Sequence, residues 1–199
     1  MSSPFKTFAV HTFGCKVNFA DSSMISRRLI ESGLSYVNSN EIADIYVVNT
    51  CSVTEKADKK ADKFIKNIKL KYPESKIIIT GCYAQLDSEN LKKNSDIDLI
   101  IGSNDKINIE KYLYDDRKVI STNISDVKDF EITYSLSERT RSFVKIQDGC
   151  NGFCAYCQIP LARGRSKSVL PDVAMESIRT LLDQGASEIV LTGIHLGDY

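Results

Sequence analysis

The chain is 199 residues long, enough for one large domain or two small ones, and its 42% apolar and 26% charged residues exclude a disordered or fibrous protein. Lysine plus arginine (26) equals aspartate plus glutamate (26), so the basic excess that usually marks a nucleic-acid-binding domain is missing, although a local basic patch is not excluded. Six cysteines are the unusual count.

In chain order, Lys6–Thr12 is an apolar, β-leaning run, and a helix is expected from about Ser22 to Ser32, stopped by Gly33. Ile45–Asn49 is a short continuous apolar run of the kind a buried parallel strand shows. The segment Glu55–Lys71 places Ala57, Ala61, Phe64, Ile65 and Ile68 on one helical face, and Pro73 ends it. Its lysines invite a nucleic-acid contact, but Asp58 and Asp62 interrupt them and the apolar stripe accounts for their spacing, so a solvated face is expected. Lys76–Thr80 and Leu99–Ile101 are two more buried strands, and Ile109, Tyr112 and Leu113 mark a helix after them. Strands alternating with helices at this period predict an α/β fold: a flavodoxin-like parallel sheet domain over residues 1–120.

Residues 121–140 are polar without a clear period and are expected to form a linker. Residues 141–199 open a second domain. Ser142–Gln147 is a strand leading into a cysteine cluster. A helix from about Asp172 to Gln184 aligns Ala174, Ile178, Leu181 and Leu182, Gly185 closes it, and Ile189–Thr192 starts another strand. One βαβ unit cannot cover its own sheet faces, so this domain is expected to be cut short.

The N-terminal stretch lacks a basic segment followed by a long apolar one, and no apolar run approaches the roughly 18 residues that span a membrane. A chain of this size has little need of disulfides. Reduced cysteines acting as ligands or nucleophiles in a cytoplasmic protein are therefore expected.

Cys150, Cys154 and Cys157 form C-x3-C-x2-C in a glycine-bearing loop just after a strand, so three thiolates can point at one centre. A structural zinc site usually takes four protein ligands, and no fourth Cys or His lies nearby. Three thiolates suit a cubane iron–sulfur cluster with one iron open to a substrate or cofactor. A zinc knuckle with a remote ligand, or buried thiols, is the alternative. Cys15, Cys51 and Cys82 are far apart in sequence, yet each directly follows an expected strand. In a parallel sheet the C-terminal strand ends share one edge, where ligand sites form, so these three are expected to converge on a second three-thiolate site. Gly14 and Gly81 precede two of them and permit a tight turn. His11 and His195 have no metal-ligand partner at helical spacing, and His11 is expected to be structural.

C-x3-C-x2-C with Tyr156 before its last cysteine resembles the radical S-adenosylmethionine (SAM) signature. Together with GCKVN from Gly14, NTCSVT from Asn49 and GCYAQ from Gly81, the sequence resembles the radical SAM methylthiotransferases over essentially its whole length. GCKVN, KIQDGCNGFCAYCQIPLARGR and LTGIHLGDY look most like the branch acting on threonylcarbamoyladenosine in tRNA. The branches acting on isopentenyladenosine in tRNA and on a ribosomal protein are the runners-up, and a structural zinc- or cluster-bearing binding module is the alternative of another class.

The resemblance implies two 4Fe-4S clusters, SAM as cofactor and a partial (β/α) barrel beginning in residues 141–199. Cys150, Cys154 and Cys157 would hold the cluster whose free iron chelates SAM, and a deoxyadenosyl radical would then attack C2 of the modified adenine at tRNA position 37. Cys15, Cys51 and Cys82 would hold an auxiliary cluster implicated in sulfur delivery. Tyr156 would place its backbone at the SAM adenine, and the segment Gly193-Ile194-His195 would meet the SAM amino group. Arg163 and Gly164 would order the cluster loop or contact SAM or the target base, with a structural salt bridge as the alternative for Arg163. Asn18 matches an asparagine of the family. The partners implied are tRNA, met mainly by the part of the family absent here, and an electron donor of flavodoxin or ferredoxin type; no membrane is implied. This chain alone is expected to bind at most the auxiliary cluster and to lack turnover.

Overall fold

A computed structural model describes residues 5–51, 55–128, 130–135 and 141–199. Among these, the first sheet is built from β1 (Thr7–Thr12), β2 (Ser35–Tyr36), β3 (Ile45–Thr50), β4 (Lys76–Gly81), β5 (Leu99–Ile101) and β6 (Val119–Ile120). The strands lie in the order β2-β1-β3-β4-β5-β6, every neighbouring pair parallel. This is the flavodoxin-like order, in which the winding reverses between the first and third strands and leaves a crevice at their C-terminal ends. The α/β architecture expected from the sequence is the one found.

Alternation along the strands explains the layers. Ile45, Val47, Ile78, Leu99 and Ile101 point to one face, where they meet Met24, Ile25 and Leu29 of helix α1 (Lys16–Glu31). Tyr46, Val48, Ile77, Ile79 and Ile100 point to the other, against Ile65 and Ile68 of α2 (Glu55–Lys71). All six residues of β3 are buried, as a central parallel strand covered on both faces requires. Each fully buried Ile or Val contributes about 1.5–3 kcal/mol, so the crevice is mounted on a rigid base. Short helices α3 (Cys82–Leu86) and α4 (Ser88–Leu91) follow β4.

Four expectations need correction. Helix α1 begins at Lys16, directly after Cys15, and not near Ser22, because Asn18, Asp21, Ser22 and Ser23 are buried on it alongside Val17, Ala20 and Met24 and mask its apolar stripe. The segment after β5 is a 3-10 helix, Asp105–Tyr112, with an interruption at Asn108. The stretch expected as a linker contains a strand, β7 (Thr133–Tyr134), antiparallel to β8 (Ser142–Lys145). It is fastened to α1: Arg27 donates from Nη1 to the Tyr134 carbonyl at 2.9 Å and stacks over the Tyr134 ring, and Arg28 pairs with Glu131 at 2.9 Å. Nothing local marks this strand, because the partners that hold it lie about a hundred residues away.

The strand expected over Ser142–Gln147 is divided into β8 and β9 (Gln147–Asp148), and β9 pairs with β10 (Lys167–Ser168). Helices α5 (Ile159–Arg163) and α6 (Pro171–Asp183) follow, then β11 (Ile189–Thr192), parallel to β8 as a βαβ unit demands. Ala174 and Leu181 of α6 cover Val144 and Ile146. Helix α1 packs against β7 and β8, and α3 against α5, so the two parts of the chain meet along the edge carrying Cys15 and Cys82. Among the described residues no helix is long and apolar enough to cross a membrane.

Candidate functional site

Register fixes the first three cysteines. Thr12 pairs with Asn49 and Thr50 with Gly81, so Cys15, Cys51 and Cys82 all emerge at the C-terminal ends of the adjacent strands β1, β3 and β4. A Cβ built on Gly14 would lie 3.0 Å from Cys51 Cβ, which sets the first two segments side by side. Gly81 makes the turn into Cys82 with φ of +97°, where a Cβ would fall 2.2 Å from the Thr50 carbonyl oxygen, so this position admits only glycine. Cys51 and Cys82 are buried, Cys15 is exposed, and all six cysteines are free thiols. An open cleft of about 600 Å³, lined by Gly14, Cys15, Lys16, Phe19 and Phe143 among others, leads to Cys15.

Two side chains bind this edge together. The Cys15 thiol faces Asn18 Oδ1 at 3.4 Å, and Asn18 Nδ2 donates to the Thr50 carbonyl at 2.9 Å. Asn18 is wholly buried, and its family-like position is explained by this bridge from α1 to the end of β3. Arg163 comes from the other part of the chain. Its Nε donates to Cys82 Sγ at 3.3 Å, its Nη2 to Asn18 Oδ1 at 3.2 Å and its Nη1 to both Asp148 oxygens at 3.1 Å.

Behind Arg163 lies a buried set of charges that the sequence did not reveal. Asp21 accepts from Lys106 Nζ at 2.5 Å, from Lys145 Nζ at 2.8 Å and from Thr133 Oγ1 at 3.0 Å, and lies 3.7 Å from Arg163. Lys145 also reaches Asp148 at 3.2 Å. Burial alone would raise the Asp21 pKa, but Lys106, Lys145 and Arg163 outweigh it and hold the carboxyl well below its ordinary value. Burial opposes ionisation of Asp148 in the same way, and Arg163 with Lys145 holds its pKa down at about 2. Burial lowers Lys106, which Asp21 only partly offsets. Lys145 feels the same burial but faces two carboxylates, and its pKa is raised. Arg163 is raised too: its burial is outweighed by Asp148, then Cys82, Asp21 and Cys15. Three basic side chains thus share two carboxylates, and of the three Arg163 reaches a thiol, Cys82.

The second trio lies in the loop between β9 and α5. Gly152 N donates to Cys150 Sγ at 3.3 Å, and a Cβ at Gly152 would touch the Cys150 and Cys154 sulfurs at 3.4 and 3.7 Å, so a small residue leaves both free to face a common group. The Cys157 amide donates to the Cys154 carbonyl at 2.9 Å, and the Cys150 amide to the Gly164 carbonyl at 3.1 Å. Tyr156 is 91% exposed and makes no wall of this loop. Gln147 is the positioning residue that the sequence left unmarked. Its Oε1 accepts the amides of Ile194 and His195 at 2.8 Å each, while its Nε2 donates to the Gly149 carbonyl at 2.8 Å. Gly193-Ile194-His195 is thereby tied to the start of the cysteine loop. A Cβ at Gly193 would stand 2.8 Å from Gln147 Oε1. His195 Nδ1 pairs with Asp198 at 2.9 Å, and among the described residues Cys150, His195 and Asp198 bring three ligand atoms within 4.8 Å of one another. His11 is stacked on Phe64 at 4.1 Å, with a pKa lowered by burial.

Soft thiolate sets of this kind suit zinc, copper(I) or iron–sulfur clusters. The donor chemistry fits iron–sulfur groups best at the first trio, where two of the three thiols are buried and the Arg163 Nε–H reaches Cys82.

The comparisons agree with this architecture. Residues 7–102, the first sheet as far as the end of β5, match the family described as "Uncharacterized protein family UPF0004". Over 96% of its length the chain is 35% identical to the threonylcarbamoyladenosine tRNA methylthiotransferase MtaB of Aquifex aeolicus, covering 48% of that protein. It is 36% identical over 97% of its length to the protein of the same name from Bacillus subtilis, covering 44% of it. The tRNA-2-methylthio-N(6)-dimethylallyladenosine synthase of Endomicrobium trichonymphae is 31% identical over 96% of the chain, which covers 46% of that relative. The chain spans about half the length of the curated relatives it matches. Residues 7–102 thus resemble the UPF0004 family, and over nearly its whole length the chain is similar to the N-terminal portion of the curated tRNA methylthiotransferases.

Proposed function

We propose that this chain is the N-terminal portion of a tRNA methylthiotransferase that adds a methylthio group to C2 of threonylcarbamoyladenosine at tRNA position 37, using two 4Fe-4S clusters and SAM. The observation that carries the reading is the grouping of all six cysteines into two sets: one at neighbouring C-terminal strand ends, one in a single loop flanking Gly152. Cys150, Cys154 and Cys157 would hold one cluster, and Cys15, Cys51 and Cys82 the other. Reductive cleavage of SAM is the chemistry such a site supplies when its cluster is bound.

The chain's own residues prepare the ground. Gln147 fixes Gly193-Ile194-His195 against the cysteine loop, which supports a contact of this segment with the SAM amino group. Tyr156, exposed beside Cys157, would place its backbone at the SAM adenine. Arg163 is engaged with Cys82, Asn18 and Asp148, which supports a part at the first trio in preference to direct contact with SAM. Tuning and positioning are the protein's contributions, since hydrogen bonds to sulfur and burial set the potential of a cluster. A tRNA partner, an electron donor of flavodoxin or ferredoxin type and a cytoplasmic setting belong to the same proposal.

The dimethylallyladenosine branch is the second reading, favoured by relatives of that name at 31–34% identity. Anaerobic iron and sulfide analysis of the full-length protein tests the chemistry: about eight irons with matching labile sulfide are expected, and zinc without sulfide rejects it. Mass spectrometry of tRNA nucleosides from a deletion strain separates the branches. Loss of the methylthio group from threonylcarbamoyladenosine alone is expected; loss from dimethylallyladenosine supports the second reading, and unchanged tRNA rejects both.

A further inference from the structure

Among the described residues, Arg163 is the one side chain that touches the first trio, the asparagine bridging its strands and a carboxylate of the second part of the chain, at 3.3, 3.2 and 3.1 Å. Its side chain is 1% exposed. The charges it joins do not balance: Lys106, Lys145 and Arg163 face Asp21 and Asp148, and half-buried Lys167 donates to the Arg163 carbonyl at 2.8 Å. An unbalanced charge in a dry interior is costly unless an opposite charge is brought to it. The only side of the guanidinium not given to a carboxylate or to Asn18 points at Cys82.

We propose that Arg163 is a positioning residue that couples occupancy of the Cys15–Cys51–Cys82 edge to docking of the second part of the chain on the sheet. An anionic metal–thiolate group at that edge completes the buried charge set, and the Arg163 fork transmits the attraction to α5 and, through Asp148, to β9. Loading the trio therefore tightens the interface formed by α1, α3 and α5. The inference rests on reading the first trio as a metal–thiolate site but not on the cluster type, since Cd2+ held by three thiolates is also a net anion.

The test uses the full 199-residue chain as C150A/C154A/C157A, so that only the first trio is available, with and without R163Q, R163K or the surface control R117Q. Each protein is loaded with Cd2+ alone, followed by the sulfur-to-cadmium charge-transfer band, or anaerobically with iron and sulfide, followed by metal content. Hydrogen exchange of 16–31 and 159–163 is measured before and after loading, with circular dichroism as the control for folding. Loading is expected to slow exchange in both segments by about tenfold or more. R117Q is expected to behave alike, R163K to keep part of the effect, and R163Q to lose it while remaining folded. A loading-dependent slowing that survives R163Q, or loading without any slowing in the parent, overturns the proposal. So does failure of both metals to bind. Coupling with Cd2+ but no retention of iron and sulfide upholds it and overturns the cluster assignment instead.

Discussion

Replacing Asp21 by asparagine keeps the shape of the side chain and removes the charge on which three cations converge. The carboxylate makes ion pairs at 2.5 Å with Lys106 and 2.8 Å with Lys145, and it is fully buried. At an effective dielectric near 20 each such pair carries about 6 kcal/mol of attraction, most of it offset by the cost of drying the ions. Losing one partner strands the others, and breaking a buried pair in this way costs about 3–5 kcal/mol. That is a large share of the 5–15 kcal/mol typical of a whole domain. Urea unfolding followed by circular dichroism reads the loss directly. D21N is expected to lower the unfolding free energy by about 3–5 kcal/mol. Removing Lys106 as well (D21N/K106M) is expected to recover part of it, because the stranded cation is then gone. A loss below about 1 kcal/mol, or a double variant no more stable than D21N, would refute the claim that Asp21 is the hub of the network.

The network also sets an acid limit. Asp148 has its pKa depressed from 3.8 to about 2, so its contribution is complete above about pH 4 and is lost as pH falls through the folded value. That contribution is about 2 kcal/mol at 1.36 kcal/mol per pKa unit, and D148N is expected to flatten the fall of unfolding free energy between about pH 4 and 2. A slope unchanged by D148N would place the acid sensitivity elsewhere. At the turn into Cys82, G81A is expected to cost at least about 2 kcal/mol and to prevent metal retention at the first trio, since the added Cβ meets the Thr50 carbonyl at 2.2 Å. Normal stability and iron content in G81A would count against the turn. In the full-length protein C82S and C154S are each expected to halve the iron content, from about eight to about four; loss of all iron from either would mean that the trios do not load separately.

The first sheet was legible in the sequence because buried parallel strands are continuous apolar runs and their C-terminal ends share one edge. That rule alone brought Cys15, Cys51 and Cys82 together across 67 residues of chain, and the register of β1, β3 and β4 bears out the shared edge. What stayed hidden depends on pairings that no local pattern reports. Asp21 is an ordinary polar residue on an amphipathic helix until Lys106 and Lys145 arrive from distant segments. The same polar residues broke the stripe that would have revealed the first half of α1. Strand β7 has two residues and exists because β8 lies beside it, so nothing in residues 121–140 announces it. Gln147 lies within the strand expected over Ser142–Gln147 and is completely buried. A buried amide needs partners, and that need was the available signal for a positioning residue.

Zero net charge is a sum over the surface and the interior, and the two behave differently here. Arg117 and Asp115, or Arg28 and Glu131, are surface pairs that water screens and that contribute little. The five charges of the interface are beyond the reach of that screening, and a buried ionic set is a poor source of stability compared with an apolar one of the same volume. Their value is directional. An apolar contact between α3 and α5 would tolerate sliding, whereas the fork of Arg163 is satisfied only when Asp148, Asn18 and Cys82 stand at its three corners. The interface therefore fixes the edge bearing one set of thiols against the segment that leads out of the other. Cys157 lies six residues before Arg163, and Cys150 is held by the carbonyl of Gly164, the next residue. Beside the packing of α1 on β7 and β8, the Arg163 guanidinium and the carboxylates behind it thus join the edge of the first trio to the segment that leads out of the second.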